Sequence, residues 1–188
     1  VGRRGELMEQ HGLGGMIVVI GLDDDAAQLI ATETGVEVAN FNSPGQITLS
    51  GTDQALAVAE MSASSHGAKR VIRLPVNGAF HSSLMEPVAE ELAHDIEATT
   101  FREPIAPLVT NTEALPIHHP DDLRRELVDH ITRSVQWTRV MEFMIGSGVK
   151  TYYEVGPGSV LSGLARRIDR SVSVRTADQA LTVGGGDA

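Results

Sequence analysis

The sequence has 188 residues, which is enough for one domain of ordinary size or for a core with one inserted subdomain. Its net charge of −10 and its lack of a basic stripe argue against nucleic acid as a partner, and no apolar run approaches the roughly 18 residues of a membrane span. The absence of cysteine excludes disulfides, thiolate metal sites and a cysteine nucleophile. This composition is compatible with a cytoplasmic enzyme, and no cofactor is expected.

The first part of the chain predicts a compact α/β unit. The opening VGRRGELMEQHG is typical of the end of a helix, and an apolar run of strand length, bounded by glycines, follows it. The order of the next segments is β-α-β-β-α-β, which is the split βαβ pattern of a ferredoxin-like unit. The predicted strands are 14–22, 36–42, 47–51 and 68–76, and the predicted helices are 23–35, with a stop at Gly35, and 52–67, with Thr52 or Asp53 as N-cap.

The second part predicts alternating strands and helices, in too small a number to close a doubly wound sheet. The glycines at 184–186 predict a frayed end. The predicted helices are 82–100, 120–132, 137–148 and 159–169, and the predicted strands are 104–111, 150–156 (of a buried type) and 171–178.

One histidine stands out in NGAFHSSLM, residues 77–85. His81 lies among small residues just before a predicted helix. A catalytic imidazole there would need a nucleophile or a metal as its partner. The alternative is a buried, hydrogen-bonded structural histidine. His118 and His119 lie together in a predicted loop without an acidic or cysteine ligand at metal spacing, so they indicate loop surface rather than a metal site.

Four motifs in register resemble the malonyl-CoA:acyl carrier protein transacylases and the related acyltransferase domains of polyketide synthases. The similarity extends from about residue 1 to 180. The motifs are FNSPGQITLSG (41–51), GAFHSSLM (78–85), SVQWTRVMEFMIGSGV (134–149) and YEVGPGSVLSGL (153–164).

The resemblance implies an α/β fold in two subdomains. Residues 1–13 and 77–188 would form an incomplete α/β-hydrolase-like large subdomain. Residues 14–76 would form a ferredoxin-like (βαββαβ) small subdomain inserted in it. The pattern of residues 14–76 had already favoured that small unit.

The resemblance also implies a chemistry, which is S-malonyl transfer from malonyl-CoA to the phosphopantetheine thiol of acyl carrier protein through an acyl-serine intermediate. His81 matches the family's general base, and His130 matches the position whose backbone carbonyl orients that base, where glutamine or asparagine is more usual. The family's serine lies in a G-H-S-x-G elbow, and these 188 residues contain no G-x-S-x-G. We therefore expect a fragment with little or no activity by itself.

The substrate-binding positions implied by the resemblance are Arg4, Met8, Asn40, Asn42 and Phe80. Arg4 would hold the malonyl carboxylate, whereas Arg3 would be an exposed arginine. Met8 would line the pocket or belong to the core. Asn40 and Asn42 would lie near the mouth of the site, although Asn42 could instead cap the SPG turn.

Phe80 would crowd the α-carbon where a methyl-branched substrate carries its branch. The expected partners are therefore malonyl-CoA and acyl carrier protein, with no nucleic acid, membrane or metal.

Two other functions fit the sequence less closely. A non-catalytic module that binds carrier protein or CoA would explain the missing elbow. A regulatory ferredoxin-like domain would leave the second half of the chain unexplained. Because the chain is acidic, docking of an acidic carrier protein would need a local basic patch, either Arg124 with Arg125 or Arg166, Arg167 and Arg170; otherwise these arginines belong to solvated helix faces.

Overall fold

The computed structural model describes residues 2–176, and it begins with helix α1 (Gly2–Gln10). A four-stranded unit follows, in the predicted order β-α-β-β-α-β. The sheet is antiparallel throughout, with strand order β2-β3-β1-β4. Its elements are β1 (Gly15–Ile20), α2 (Asp24–Thr34), β2 (Glu37–Ser43), β3 (Gln46–Gly51), α3 (Asp53–Ser65) and β4 (Arg70–Arg73).

The four-stranded unit has one continuous apolar core between its sheet and its two helices. Alternate residues of β1 and β3 enter this core, because side chains of a strand alternate between its faces. The other face of the sheet is also covered, and it includes the buried polar residues Thr48 and Ser50. The buried core residues are Ile17, Val19, Leu22, Ala27, Ile30, Ala31, Val36, Val38, Ile47, Leu49, Leu56, Ala59 and Ala63.

The ends of both helices agree with the local sequence signals. The Asp23 carboxylate accepts a hydrogen bond from the Ala26 amide at the start of α2, and Gly35 ends that helix in the left-handed conformation. The Thr52 hydroxyl accepts from the Ala55 amide at the start of α3, so Thr52 rather than Asp53 is the N-cap.

The predicted helix 82–100 is divided in the structure. Ser83–Met85 form a short 3-10 turn, and α4 (Glu86–Glu97) follows with Pro87 in its first turn, where proline removes no helical hydrogen bond. Helix α5 (Pro120–Thr132) has the predicted bounds. Helices α1, α4 and α5 enclose a second buried cluster, which consists of Leu7, Met85, Val88, Ala89, Leu92, Ile96 and Ile131.

The predicted strand 104–111 is wrong over most of its length. Only Leu108–Val109 (β5) pair, in an antiparallel hairpin with Pro116–Ile117 (β6). Pro104 and Pro107 offer no amide hydrogen to a neighbouring strand, so a longer ladder was not available to this segment.

The last elements form a β-α-β unit with parallel strands. Helix α6 (Trp137–Gly146) precedes β7 (Thr151–Glu154), and α7 (Val160–Ile168) connects β7 to β8 (Ser173–Thr176). The strand predicted at 150–156 forms at Thr151–Glu154, but the prediction that it is buried is wrong. In the described part of the chain, Tyr153 is 54% exposed. Residues 177–178 of the last predicted strand and the glycines at 184–186 lie outside the described residues.

Within residues 2–176 the three sheets are separate, but one seam joins the four-stranded unit to the segment before α6. The Val135 amide donates to the Ala39 carbonyl (2.8 Å), and the Phe41 amide donates to the Val135 carbonyl (2.9 Å). The hydroxyls of Ser134 and Thr138 donate to the carbonyls of Val38 and Phe41. None of the helices in residues 2–176 has the length and apolarity needed to cross a bilayer.

Candidate active site

His81 lies in the connection between β4 and the 3-10 turn, and its ring has a defined partner. Its Nδ1 is 2.9 Å from the backbone carbonyl of His130, near the end of α5. A carbonyl can only accept, so Nδ1 carries the proton of this hydrogen bond. In a neutral imidazole this leaves Nε2 with a free lone pair that can accept a proton.

The backbone around His81 is unusual and closely held. His81 has φ of 60°, a left-handed conformation that few non-glycine residues adopt. The Gly78 and Ala79 amides donate to the carbonyls of Gly14 and Leu13, and the buried Ser50 hydroxyl donates to the Phe80 carbonyl (2.5 Å). These contacts fix the connection against the four-stranded unit just before the histidine.

Burial and neighbouring positive charge keep His81 neutral. The pKa of His81 is lowered to about 4, chiefly by burial and then by the charges of His130 and Arg4, which together outweigh the hydrogen bonds to the backbone of His130 and Arg133. The pKa of His130 is also lowered, first by burial and then by Arg4. The two imidazole rings are 4.9 Å apart.

Arg4 projects from α1 into a cavity of about 600 Å³, which Met8, Phe101, Leu127 and His130 also line. Its Nε is buried and has no hydrogen-bond partner within residues 2–176, and burial lowers the pKa of Arg4. An unpaired buried guanidinium nitrogen leaves a place for an anion that enters the cavity. His130 contacts His81 and also lines the cavity that contains Arg4.

The neighbouring arginine behaves differently. Arg3 is exposed, and its guanidinium forms ion pairs with Glu6, Glu91 and Asp95. Such exposed pairs contribute little to stability, and they leave Arg3 neutralised at the surface. Two adjacent arginines thus differ in exposure and in pairing.

Met8 and Phe80 lie on the same side of the site. Both are half-buried and pack against the cluster around Leu7 and Met85. Together they line a further opening of about 710 Å³, and Met8 also lines the Arg4 cavity. Met8 is therefore both a lining residue and part of the packing.

Asn40 and Asn42 are the predicted site residues that the structure does not bring to the others. Asn42 Nδ2 donates to the Thr48 hydroxyl (2.8 Å), and Asn40 forms a bridge with Val135 in the seam. Neither lines the Arg4 cavity or the cleft that contains His81. No described hydrogen bond from the Asn42 side chain reaches the SPG turn.

His118 and His119 lie away from this site. The exposed His119 Nδ1 accepts a hydrogen bond from the Asp121 amide, which makes His119 the N-cap of α5. Within residues 2–176 no group of three or more histidine, cysteine, aspartate or glutamate side chains could hold a metal ion.

The structure adds residues that the sequence did not indicate. His81 lines a cleft of about 470 Å³ between the four-stranded unit and the end of α5, together with Glu37, Thr132, Arg133 and Gln136. Glu37 and Ser83 are joined by hydrogen bonds across this region. They are 46 residues apart in the chain, so no local pattern could have paired them.

Comparison with known proteins places the chain in a family. The family model described as "Acyl transferase domain" matches residues 1–183. The malonyl CoA-acyl carrier protein transacylase of Escherichia coli (strain K12) is 39% identical over 172 residues, which cover 88% of this chain and 56% of the relative.

Two solved structures are similar along nearly the whole chain. An acyl carrier protein S-malonyltransferase from Vibrio cholerae matches with a TM-score of 0.92 and 33% identity, over 96% of this chain and 62% of that chain. A type II PKS acyl carrier protein in complex with its malonyl-transacylase matches with a TM-score of 0.88 and 35% identity, over 96% and 60%. This chain spans a little over half of the length of the curated relatives that it matches. With its mixed α/β structure and a family model that matches almost all of its residues, the chain belongs to the acyl transferase domain family.

Proposed function

We propose that this chain is part of a malonyl-CoA:acyl carrier protein S-malonyltransferase. It would supply the general base His81 and the carboxylate-binding Arg4, while the serine would come from a segment outside these 188 residues, which contain no G-x-S-x-G. The hydrogen bond from His81 Nδ1 to the His130 carbonyl carries the proposal, because it leaves Nε2 free to accept a proton.

The reaction would proceed in two half-reactions. His81 Nε2 takes the serine proton as the serine oxygen attacks the thioester carbonyl of malonyl-CoA; the carbon–sulfur bond breaks and the CoA sulfur receives that proton. The carrier's phosphopantetheine thiol then gives its proton to Nε2 and attacks the malonyl ester. The serine oxygen leaves and regains the proton, which restores the neutral histidine.

Arg4 would select the malonyl group by charge. Its buried Nε without a described partner supports this role, because a carboxylate in the cavity would compensate the charge and satisfy the nitrogen. An acetyl group would leave the guanidinium unpaired. A bound carboxylate would also offset the field by which Arg4 lowers the pKa of His81, so substrate would make His81 a stronger base.

The remaining assignments belong to the same proposal. His130 would orient His81 through its carbonyl, and Met8 and Phe80 would line the acyl pocket. Asn40 and Asn42 would contribute at most to its outer surroundings, since neither lines the two cavities. Arg124 and Arg125 would not offer the carrier protein an unpaired basic patch, because they form ion pairs with Asp121 and Asp122.

The architecture and location expected from the resemblance also remain proposals. Residues 14–76 would be the ferredoxin-like insert, which the strand order β2-β3-β1-β4 supports, and residues 1–13 with 77–188 would belong to an α/β-hydrolase-like large subdomain. The protein would act in the cytoplasm.

The test is a comparison of Arg4→Ala with Arg3→Ala in a protein that joins these residues to a serine-bearing segment of the family. Malonyl transfer, measured as kcat/KM, should fall by roughly 30-fold to several thousand-fold in Arg4→Ala, because a charge-assisted pair is lost. Acetyl transfer should fall less or rise. Arg3→Ala should change neither by much, and equal losses for both thioesters in Arg4→Ala would make Arg4 a structural residue.

A second candidate is a non-catalytic module that binds carrier protein or CoA, which the missing G-x-S-x-G favours. The 188-residue chain itself should form no malonyl adduct with malonyl-CoA, as measured by intact mass. The two candidates then differ in the joined protein: an active-site malonyl-serine supports the transferase, and carrier binding without an adduct supports the module.

A further inference from the structure

Glu37 and Ser83 form a contact between the four-stranded unit and the segment that carries His81. Glu37 Oε1 accepts hydrogen bonds from the Ser83 amide (3.0 Å) and from the Ser83 hydroxyl (2.6 Å), and Oε2 is 3.2 Å from the same amide. Glu37 is the first residue of β2, and Ser83 follows His81 by two positions. Glu37 and His81 line the same cleft.

The backbone at His81 needs such support. A histidine at φ of 60° persists only where its surroundings hold it there. Before His81, the Ser50 hydroxyl holds the Phe80 carbonyl, and the Ser82 hydroxyl donates to the Ala79 carbonyl. After His81, Glu37 ties the chain to the same four-stranded unit. The histidine is thus held from both sides by one rigid element.

We propose that Glu37 is a positioning residue for His81: by holding Ser83, it keeps His81 in the left-handed conformation from which Nδ1 reaches the His130 carbonyl. Its importance for catalysis rests on the proposed function, whereas the positioning itself rests on the contacts alone. Glu37 would act on His81 through this contact and not through its charge. The charges that act on His81 come from His130 on α5 and Arg4 on α1, and Glu37 is not among the causes of its lowered pKa.

Substitution at Glu37 separates geometry from charge. In Glu37→Gln the amide oxygen can take the place of Oε1, which accepts both Ser83 bonds, so the contact survives without the charge. Glu37→Ala removes contact and charge together. Glu33→Ala is the matched control, because it removes one charge from the exposed surface of α2 nearby.

The experiment is NMR of the His81 imidazole in the 188-residue chain, read as its pKa and its tautomer. The original chain, Glu37→Gln and Glu33→Ala should show an Nδ1-protonated ring with a pKa well below 6.5. Glu37→Ala should raise the pKa by at least about one unit towards 6.5 and mix the tautomers, because the released ring becomes hydrated. An unchanged His81 in Glu37→Ala, or equal effects of Gln and Ala, would overturn the proposal.

Ser83→Ala tests the same contact if Glu37→Ala fails to fold. Ser83→Ala removes the hydroxyl bond and keeps the amide bond, so it should raise the His81 pKa by less than Glu37→Ala does. An unchanged His81 pKa in Ser83→Ala would count against the positioning role.

In the joined, serine-bearing protein, Glu37→Ala should lower kcat about tenfold to a hundredfold with little change in KM, and Glu37→Gln should keep kcat close to the original value. If Glu37→Ala changes the His81 pKa and tautomer but the joined protein has no transfer activity, the proposed function is overturned and the positioning role of Glu37 stands.

Discussion

The four-stranded unit and the rest of the chain are built in different ways. The unit folds from contiguous residues around one continuous core. The rest gathers α1 and residues 77–176 around two smaller clusters, with strands of two to four residues.

The difference matters because the candidate catalytic groups lie in the less regular region. Arg4 comes from α1, His130 from the end of α5, and His81 from the connection before the 3-10 turn. The unit supplies the buried Ser50 and the carboxylate of Glu37, which hold the His81 segment. One region therefore supports a site whose chemistry belongs to the other.

The largest expected effect tests whether the core of the four-stranded unit is as closely packed as this comparison implies. Leu49 is fully buried in β3, so Leu49→Ala should lower the free energy of unfolding by about 2 to 5 kcal/mol. Leu13→Ala is the control: Leu13 is 70% exposed, and its loss should change stability by less than about 0.5 kcal/mol. Urea denaturation measures both. Similar small losses would mean that the unit is not the rigid part.

The next largest effect is a pH dependence of the free energy of unfolding that arises from the buried His81, outside the four-stranded unit. His81 has a folded pKa of about 4 against 6.5 for the free group, so the unfolded chain binds more protons between these values. Its stabilising contribution is complete above pH 6.5 and is lost as pH falls towards 4. The loss should reach up to about 3 kcal/mol. Burial and Arg4 lower the pKa of His130 as well, which adds a change of the same sign.

The measurement is the urea midpoint at pH 7 and at several values down to pH 4, for the original chain and for His81→Gln. The variant should lose less stability across this range, because it removes a group that titrates differently in the two states. An identical pH dependence would show that His81 is not buried as a neutral ring. The His66→Gln variant is the control, since His66 lies at the exposed end of α3.

The smallest expected effect concerns the seam between the regions. Ser134→Ala with Thr138→Val removes two hydroxyl bonds to the outer edge of β2, which should cost about 1 to 3 kcal/mol in total. Hydrogen exchange should become faster at the Phe41 and Val135 amides and stay unchanged at Ile17. Ser65→Ala, which removes an exposed bond within α3, is the control. Faster exchange throughout β1 would show that unit and remainder open together.

The sequence alone determined the elements whose signals are local. Gly35 ends α2 in the left-handed conformation where that end was predicted, and Thr52 is one of the two residues predicted as N-cap of α3. Helix α5 has the predicted bounds because Pro120, the acidic first turn and the apolar period all agree. The motif resemblance indicated His81, Arg4 and His130 as neighbours in function.

Tertiary structure decided the rest, because it depends on groups far apart in the chain. The prediction for 104–111 failed because only Leu108–Val109 pair with another segment, Pro116–Ile117, while Pro104 and Pro107 have no amide hydrogen to donate to a neighbouring strand. The pairing of Glu37 with Ser83, the seam at Val135 and the burial of Arg4 Nε arise only when separate helices and strands pack together. Burial by that packing, which no local pattern records, is also the largest cause of the lowered pKa of His81.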